Sequence, residues 1–233
     1  MTPLPPQLRY ERKFVAHGLS LAEVLAVVRR HPALFHEVYP PRAVNNIYLD
    51  SPGLRDYFDH VSGAPSRAKT RVRWYGPLNG PIAQPTLERK IKRGAVSGKL
   101  SRALPALCME GGVCNGALDS ALDAAEMPEI ERSTLRLRRP SLVNRYQRRY
   151  LLSADGRFRL TVDWDLRFFG CGGGTGWSAS WSPRRPAVII ELKFEPCHAE
   201  AAAAVTNALP FRLARLSKYV LGIEDGAARR TGR

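Results

Sequence analysis

One stretch of the chain decides the fold: Ala187-Val188-Ile189-Ile190-Glu191-Leu192-Lys193-Phe194-Glu195. β-Branched and aromatic residues dominate it and a Pro flanks either end, which is typical of a β-strand. Its second half alternates, because Glu191 and Lys193 lie on one face while Leu192 and Phe194 lie on the other. A solvated face of an antiparallel sheet would explain one such strand. The choice between solvent and an internal role for Glu191 depends on whether other strands repeat the pattern.

Other predicted strands do repeat this alternation. Most carry charged residues at period two and a largely apolar opposite face, and few are apolar on both sides. They cover residues 9–15, 44–50, 68–76, 86–92, 142–152 and 157–168. An apolar barrel interior does not fit this pattern, whereas an antiparallel barrel with the charged rows in its lumen does. Cations facing one another across such a lumen would repel strongly unless an anion lay between them.

The remaining stretches predict an α+β domain with helices on the outside of the barrel. Ser20 and Glu23 have the spacing of a capping box that begins a helix at residue 21. Helices are predicted over 21–30, 118–125, 198–209 and 216–222, the last ending at Gly222 and followed by a frayed basic tail over 225–233. Loops are predicted over 94–100, which contains Lys99, and over 170–186. We interpret residues 1–233 as one domain with a core of about 9–222.

Composition restricts the class of partner. With 36 Lys and Arg against 21 Asp and Glu, the formal charge is +15, which favours a polyanion: nucleic acid, an anionic membrane surface or a phosphate-rich small molecule. The four cysteines lack the CxxC spacing of a zinc site, and reduced thiols favour the cytoplasm. No apolar run is long enough for a membrane span, and the first residues lack the features of a signal peptide.

Seven short motifs occur along the chain in a characteristic order. They are Glu11-Arg12-Lys13, Thr70-Arg71-Val72-Arg73-Trp74-Tyr75-Gly76, Glu88-Arg89-Lys90, Tyr146-Gln147-Arg148, Arg157-Phe158-Arg159-Leu160-Thr161-Val162-Asp163, Glu191-Leu192-Lys193 and Ser217-Lys218-Tyr219. In this set the chain resembles the VTC domain, the polyphosphate polymerase domain of the vacuolar transporter chaperone complex, which is a branch of the CYTH-like triphosphate tunnel metalloenzymes. The resemblance implies an eight-stranded antiparallel β-barrel tunnel with a charged lumen.

The resemblance also implies site residues and a cofactor. Phosphate-binding catalytic residues would be Lys13, Arg71, Arg73, Lys90, Arg148, Arg159 and Lys218, and further substrate contacts would come from Tyr146, Ser217, Lys92, Lys99 and Lys193. Glu191, with Glu11 as a second candidate, would hold Mn²⁺ or Mg²⁺, since hard cations prefer carboxylate and phosphate oxygens. The wider superfamily often begins with a Glu-x-Glu-x-Lys strand, and Arg9 stands at the first Glu position here. That departure predicts a metal held by fewer carboxylates.

Three functions are compatible with the sequence. The resemblance favours a polymerase that passes the terminal phosphoryl of ATP to a polyphosphate or pyrophosphate acceptor, with a membrane partner protein as one receiver of the product. The alternatives are a tripolyphosphatase or triphosphatase, and a non-catalytic module that binds polyphosphate or RNA, although nucleic acid is the less favoured ligand. Glu191 could instead only pair with Lys193 or a neighbouring Arg, and Glu11 and Glu88 could orient the basic rows. Asp163 and Asp165 could fix arginines or join the metal shell.

Overall fold

The computed structural model describes residues 9–93, 96–109, 115–171, 180–184 and 187–230. The helices are α1 (Leu21–Arg29), α2 (Arg55–Val61), α3 (Asn115–Ala124), α4 (Glu129–Arg136), α5 (Ala201–Asn207) and α6 (Lys218–Arg230). The strands are β1 (Tyr10–His17), β2 (His36–Asp50), β3 (Ser66–Tyr75), β4 (Gly80–Ile82), β5 (Thr86–Arg93), β6 (Val96–Ala103), β7 (Leu107–Met109), β8 (Arg139–Leu152), β9 (Arg159–Gly170), β10 (Ala187–Phe194) and β11 (Arg212–Leu213). The α+β prediction is therefore confirmed.

Over the described ranges, the main sheet has nine strands in the order β11-β1-β10-β9-β8-β2-β3-β5-β6, and all their pairings are antiparallel. Within the described residues no ladder joins β11 to β6, so the predicted eight-stranded closed barrel is not confirmed. The sheet nevertheless curls until its two sides approach each other. Glu11 on β1 lies 3.4 Å from the Lys90 Nζ on β5, although five strands separate β1 from β5 in the sheet. The result is a deeply concave sheet with a charged inner face.

The predicted loop over 94–100 is wrong for most of its length. Residues 96–103 form β6, which pairs with β5 and places Lys99 opposite Lys90. The Gly-rich composition suggested a loop, but the residues from Val96 onward form a strand, and Gly94 and Ala95 lie outside the described residues. The predicted loop over 170–186 also lies largely outside them, while Phe168 pairs with Trp181 in an isolated bridge.

Apolar residues cover the outer face of the sheet. One cluster joins β1, β9 and β10 to α1 and α5, and a second joins β2, β3, β5 and β8 to α3, α4 and the small β4–β7 ladder. The capping box of α1 is present, since the Ser20 side chain accepts from the Glu23 amide and Glu23 reaches back to the Ser20 amide. The prediction of helices on the outer wall therefore holds for α1, α3 and α5, and it is wrong for α6.

The C-terminal helix α6 lies on the inner, concave face. Tyr219 is fully buried there and stacks on Tyr48 with ring centroids 4.7 Å apart. The predicted stop at Gly222 is wrong, because α6 continues to Arg230 and only residues 231–233 of the predicted tail lie outside the described chain. A Cβ at Gly222 would lie 2.4 Å from Leu142 Cδ2 and 2.6 Å from Phe168 Cδ1. Glycine is there because the helix approaches the sheet closely, not because the helix ends.

A β-bulge in β9 changes its pairing with β8 between Arg145 and Gln147. Asp165 lies within this bulge and has a positive φ of 48°. Asp165 is exposed and accepts from Arg167 Nε at 3.2 Å, which agrees with the prediction that it fixes an arginine, although it lies outside the residues that line the pocket described below. Among the described helices, none combines the length and hydropathy that crossing a membrane requires.

Candidate phosphate-binding pocket

A cavity of about 530 Å³ occupies the concave face. Its lining residues are Arg9, Glu11, Lys13, Tyr48, Lys69, Arg71, Arg73, Glu88, Lys90, Lys99, Tyr146, Arg148, Glu191, Lys193, Ser217 and Lys218. Most come from β1, β2, β3, β5, β6, β8 and β10, while Arg9 directly precedes β1, Ser217 directly precedes α6 and Lys218 begins α6. The structure thus brings together nearly all of the side chains that the sequence singled out.

Two predicted residues do not line this cavity. Arg159 is exposed at the start of β9, and Lys92 is half-buried near the end of β5. Both keep the alternation of the inner face but lie towards the strand ends. Conversely, Lys69 and Tyr48 line the cavity and were absent from the predicted site. Lys69 could have been found, because it precedes Arg71 at period two on the same strand.

Glu191 is buried inside a ring of cations. Its carboxylate oxygens lie 3.2 Å from Lys193 Nζ, 3.5 Å from Arg148 Nη2, 3.6 Å from Lys218 Nζ and 3.7 Å from Lys13 Nζ. Burial would raise the pKa of Glu191, but these cations outweigh it and hold the pKa well below its usual range. Glu191 is therefore an ionised carboxylate on the inner face.

Glu11 is the second carboxylate of this region. It lies 2.9 Å from Lys13 Nζ and 3.4 Å from Lys90 Nζ. Burial and the nearby Glu191 charge raise the pKa of Glu11, but Lys13, Lys90 and Lys193 together lower it to about 2. Lys13 therefore bridges two ionised carboxylates on neighbouring strands, because register places Lys13 directly opposite Glu191.

Asp163 anchors the most buried cations. Arg148 donates to it in a bidentate pair of 2.6 and 2.7 Å, and the Lys218 Nζ lies 2.6 Å from the same carboxylate. Burial opposes the charge of Asp163, but Arg148 and Lys218 lower its pKa. The prediction that Asp163 fixes an arginine agrees with this geometry. Tyr146 completes the group, since the Arg148 and Lys218 cations lie 5.3 and 4.8 Å from its ring centroid.

Glu88 organises the opposite wall. Its carboxylate lies 2.6 Å from Arg71 Nη2, 2.6 Å from Lys99 Nζ and 3.6 Å from Arg73 Nη1. Burial would raise the pKa of Glu88, but these three cations lower it far below its usual value. Arg73 is also held by Asn46, whose Oδ1 accepts from Nε at 2.9 Å. Glu88 thus orients basic side chains, as the sequence had suggested.

Lys69 differs from the other cations of the pocket. Its Nζ donates to Ser217 Oγ at 2.9 Å, and within the described chain no carboxylate lies within salt-bridge distance of it. Burial, and then the charges of Lys13, Lys90 and Arg71, lower its pKa to about 7. Lys69 is therefore only partly charged in the free pocket at neutral pH, and an incoming anion would favour its charged form.

The pocket as a whole has a large excess of positive charge, and the exposure of its basic side chains differs between its two ends. Among the residues that the structure describes, ten basic and three acidic side chains line it. Exposure of the basic side chains rises from 7% for Arg148 and 8% for Lys218 to 51% for Lys99 and 53% for Lys90. This gradient distinguishes a deep end from a mouth.

The segment that leads into α6 closes the deep end. Lys13 on β1 donates to Leu216 O at 3.1 Å, and Lys69 on β3 donates to Ser217 Oγ. Lys218, the next residue after Ser217, forms an ion pair with Asp163 on β9. The segment therefore contacts three strands across the concavity, with the apolar cluster of α6 behind it. We call residues 216–218 together with α6 the floor of the pocket.

The fold and pocket define a class of proteins in which a curled antiparallel sheet encloses a cationic cavity. A candidate adenylate cyclase from Vibrio parahaemolyticus shares the fold with a TM-score of 0.51 and 13% identity, covering 93% of this chain and 98% of that chain. The PH1819 protein from Pyrococcus horikoshii OT3 aligns with a TM-score of 0.49 and 15% identity, covering 93% and 99% respectively. No curated protein matches the sequence.

The family itself follows from the sequence match. The VTC domain matches residues 8–225, nearly the whole chain. The chain therefore belongs to the VTC domain family, and the resemblance carried by the seven motifs is confirmed.

Proposed function

We propose that the chain is a metal-dependent phosphotransferase that acts on the triphosphate of a nucleotide or on the end of a polyphosphate chain. The observation that carries this proposal is the excess of cations arranged around two ionised carboxylates in one pocket. Phosphoryl transfer needs charge stabilisation and positioning more than it needs a covalent residue. Membership of the VTC family supports a polymerase-like reaction, in which the terminal phosphoryl of ATP passes to a polyphosphate acceptor.

The basic side chains would act as phosphate ligands. Arg71 and Arg73 present guanidinium groups suited to bidentate contacts with phosphate oxygens. The ammonium groups of Lys13, Lys69 and Lys193 would act as point charges around the same oxygens. Glu88 already fixes Arg71 and Arg73, and Asp163 fixes Arg148 and Lys218. Little reorganisation of these side chains is therefore needed when the anion enters.

The carboxylates fit a hard divalent cation. Glu11 and Glu191 are ionised at neutral pH and lie on adjacent strands around Lys13. Mg²⁺ is usually bound by one or two carboxylates together with substrate phosphates and water. Mn²⁺ or Mg²⁺ held by Glu191, with Glu11 as a second ligand, would neutralise charge that develops on the phosphate oxygens. The excess positive charge of the pocket favours entry of the cation together with the phosphate chain.

The proposal is tested by incubating the purified protein with ATP and Mn²⁺, with and without polyphosphate, and resolving the products on a gel. We expect phosphate transfer or release in the presence of metal. Glu191→Gln should lower the rate by about 100-fold or more, because it removes the proposed metal carboxylate while keeping the shape of the side chain.

Glu195→Gln is the matched control, since Glu195 is exposed just after the same strand and outside the pocket. It should leave the rate within about twofold of the unmodified protein. Absence of both chain growth and phosphate release, in a protein that still binds tripolyphosphate, would assign the chain to the non-catalytic alternative.

A tripolyphosphatase is the second candidate, and the closed floor favours it. A growing chain needs a route away from the reacting phosphate, whereas hydrolysis releases short products through the mouth. The gel assay separates the two activities, because a hydrolase releases phosphate from ATP or tripolyphosphate without producing longer chains. A membrane partner and a cytoplasmic location stay predictions from the sequence.

A further inference from the structure

A cluster of three tyrosines and one arginine lies at the end of the concave face that is farthest from the floor. It consists of Tyr39 and Arg42 on β2, Tyr75 on β3 and Tyr150 on β8. The Arg42 guanidinium carbon lies 4.9 Å from the Tyr39 ring centroid, 5.5 Å from that of Tyr150 and 5.7 Å from that of Tyr75. We call these residues the tyrosine rim.

The tyrosine rim continues the phosphate pocket. Tyr150 follows Arg148 at period two on β8, and Tyr75 follows Arg73 at period two on β3, so they point to the same face. The Arg148 guanidinium lies 5.9 Å from the Tyr150 ring. At the other end of β8, Leu142 packs under α6. The floor and the tyrosine rim thus lie at opposite ends of the concave face. An elongated ligand with one end at the floor would place its other end near this rim or at the neighbouring mouth of the pocket.

Two features distinguish the tyrosine rim from ordinary wall packing. Tyr39 and Tyr75 are 54% and 48% exposed, although the cavity beside them is lined by charged groups. The β2–β8 ladder also shifts register on both sides of Tyr39, before Arg42, where Pro40 and Pro41 interrupt it. Bulges at a sheet rim re-aim side chains and are over-represented beside active sites. Here they bring Tyr39 and Arg42 onto the ring of Tyr150.

We propose that the tyrosine rim binds the base of a nucleoside triphosphate whose terminal phosphate points to the floor. This inference rests on the proposed function, because it requires the cationic pocket to hold a triphosphate. Exposed tyrosine rings offer planar surfaces on which any base stacks, and an arginine plane adds a cation–π contact. The rim then gives nucleotides an affinity that inorganic tripolyphosphate does not receive.

Tyr39→Ala tests the inference by its unequal effect on two ligands. Binding of ATP and of tripolyphosphate is measured by calorimetry in EDTA, so that the metal-dependent reaction does not proceed. Loss of a stacking ring should weaken ATP binding by about tenfold, whereas tripolyphosphate binding should change by less than about twofold. Tyr39→Phe keeps the ring and should retain ATP affinity. Tyr10→Ala removes a tyrosine of similar exposure, 53%, at the start of β1 and should affect neither ligand.

The outcomes separate the two proposals. Equal losses for ATP and tripolyphosphate, or no loss for ATP, would overturn the base site and leave the phosphate pocket intact. If the unmodified protein binds neither ligand in EDTA nor with Mn²⁺ present, the proposed function fails as well. A loss confined to ATP, restored by Tyr39→Phe, supports the base site.

Discussion

The charge of Lys69 depends on whether an anion occupies the pocket. Its pKa of about 7 means that it is partly neutral in the free pocket at physiological pH, and a phosphate beside it should restore the charged form. Binding then takes up a proton above pH 7, so affinity for tripolyphosphate should fall by up to about tenfold per pH unit there. Below pH 7 Lys69 is already protonated, and this dependence should vanish.

Lys69→Arg isolates this effect, because arginine stays charged throughout the range. Binding of tripolyphosphate is measured from pH 6 to 9 for both proteins, and the ratio of their affinities removes the titration of the ligand itself. We expect the ratio to be constant below about pH 7 and to change in favour of Lys69→Arg above it. A ratio that does not vary with pH would show that Lys69 is charged in the free pocket.

At the scale of the element, α6 depends on its close approach to the sheet. Gly222→Ala would place a methyl group 2.4 Å from Leu142 and 2.6 Å from Phe168, both part of a packed cluster. Overpacking of this kind should lower the free energy of unfolding by about 1–3 kcal/mol, measured by urea denaturation. Gly116→Ala in α3 meets nothing within 4 Å and should stabilise by roughly 0.5–1 kcal/mol. Equal effects of the two substitutions would contradict the close packing of α6.

Elements with a local signal were predictable from the sequence. Period-two alternation located β1, β3, β5 and β10 and indicated their inner faces, because the two sides of a strand differ by one residue step. Helix α1 followed from its capping box. The errors concern non-local packing: Gly222 is a glycine in close contact with the sheet, and β6 exists because β5 provides a pairing edge. Composition alone does not reveal these partners.

The site was predictable in membership but not in arrangement. The alternation brought Lys13, Arg71 and Glu191 to one face, since residues at period two share a side of a strand. Which cation pairs with which carboxylate depends on register between strands distant in sequence, such as Lys13 opposite Glu191. The tyrosine rim depends on two register shifts in β2: Pro40 and Pro41 indicate an interruption there, but not which residues of β8 come to lie opposite Tyr39 and Arg42.

For the whole molecule, the charge distribution and the floor act together. Asp163, Glu88 and Glu191 compensate only part of the positive charge, so the empty pocket is electrostatically unfavourable and an entering anion relieves the repulsion. In the described chain, α6 and the segment before it occupy the far end of the concavity. A linear anion therefore enters by one end and leaves the same way.

This geometry predicts how the protein responds to the length of a phosphate chain. A pocket closed at one end holds one chain end, so affinity per molecule should differ by only a few-fold between tripolyphosphate and a long polyphosphate. A passage open at both ends would hold internal phosphates, and affinity per molecule would then rise with length. Binding is measured at high salt, which screens non-specific attraction to the basic surface. Blocking both ends of the long chain with bulky phosphoramidates should abolish binding, whereas undiminished binding of the blocked chain would contradict a closed floor.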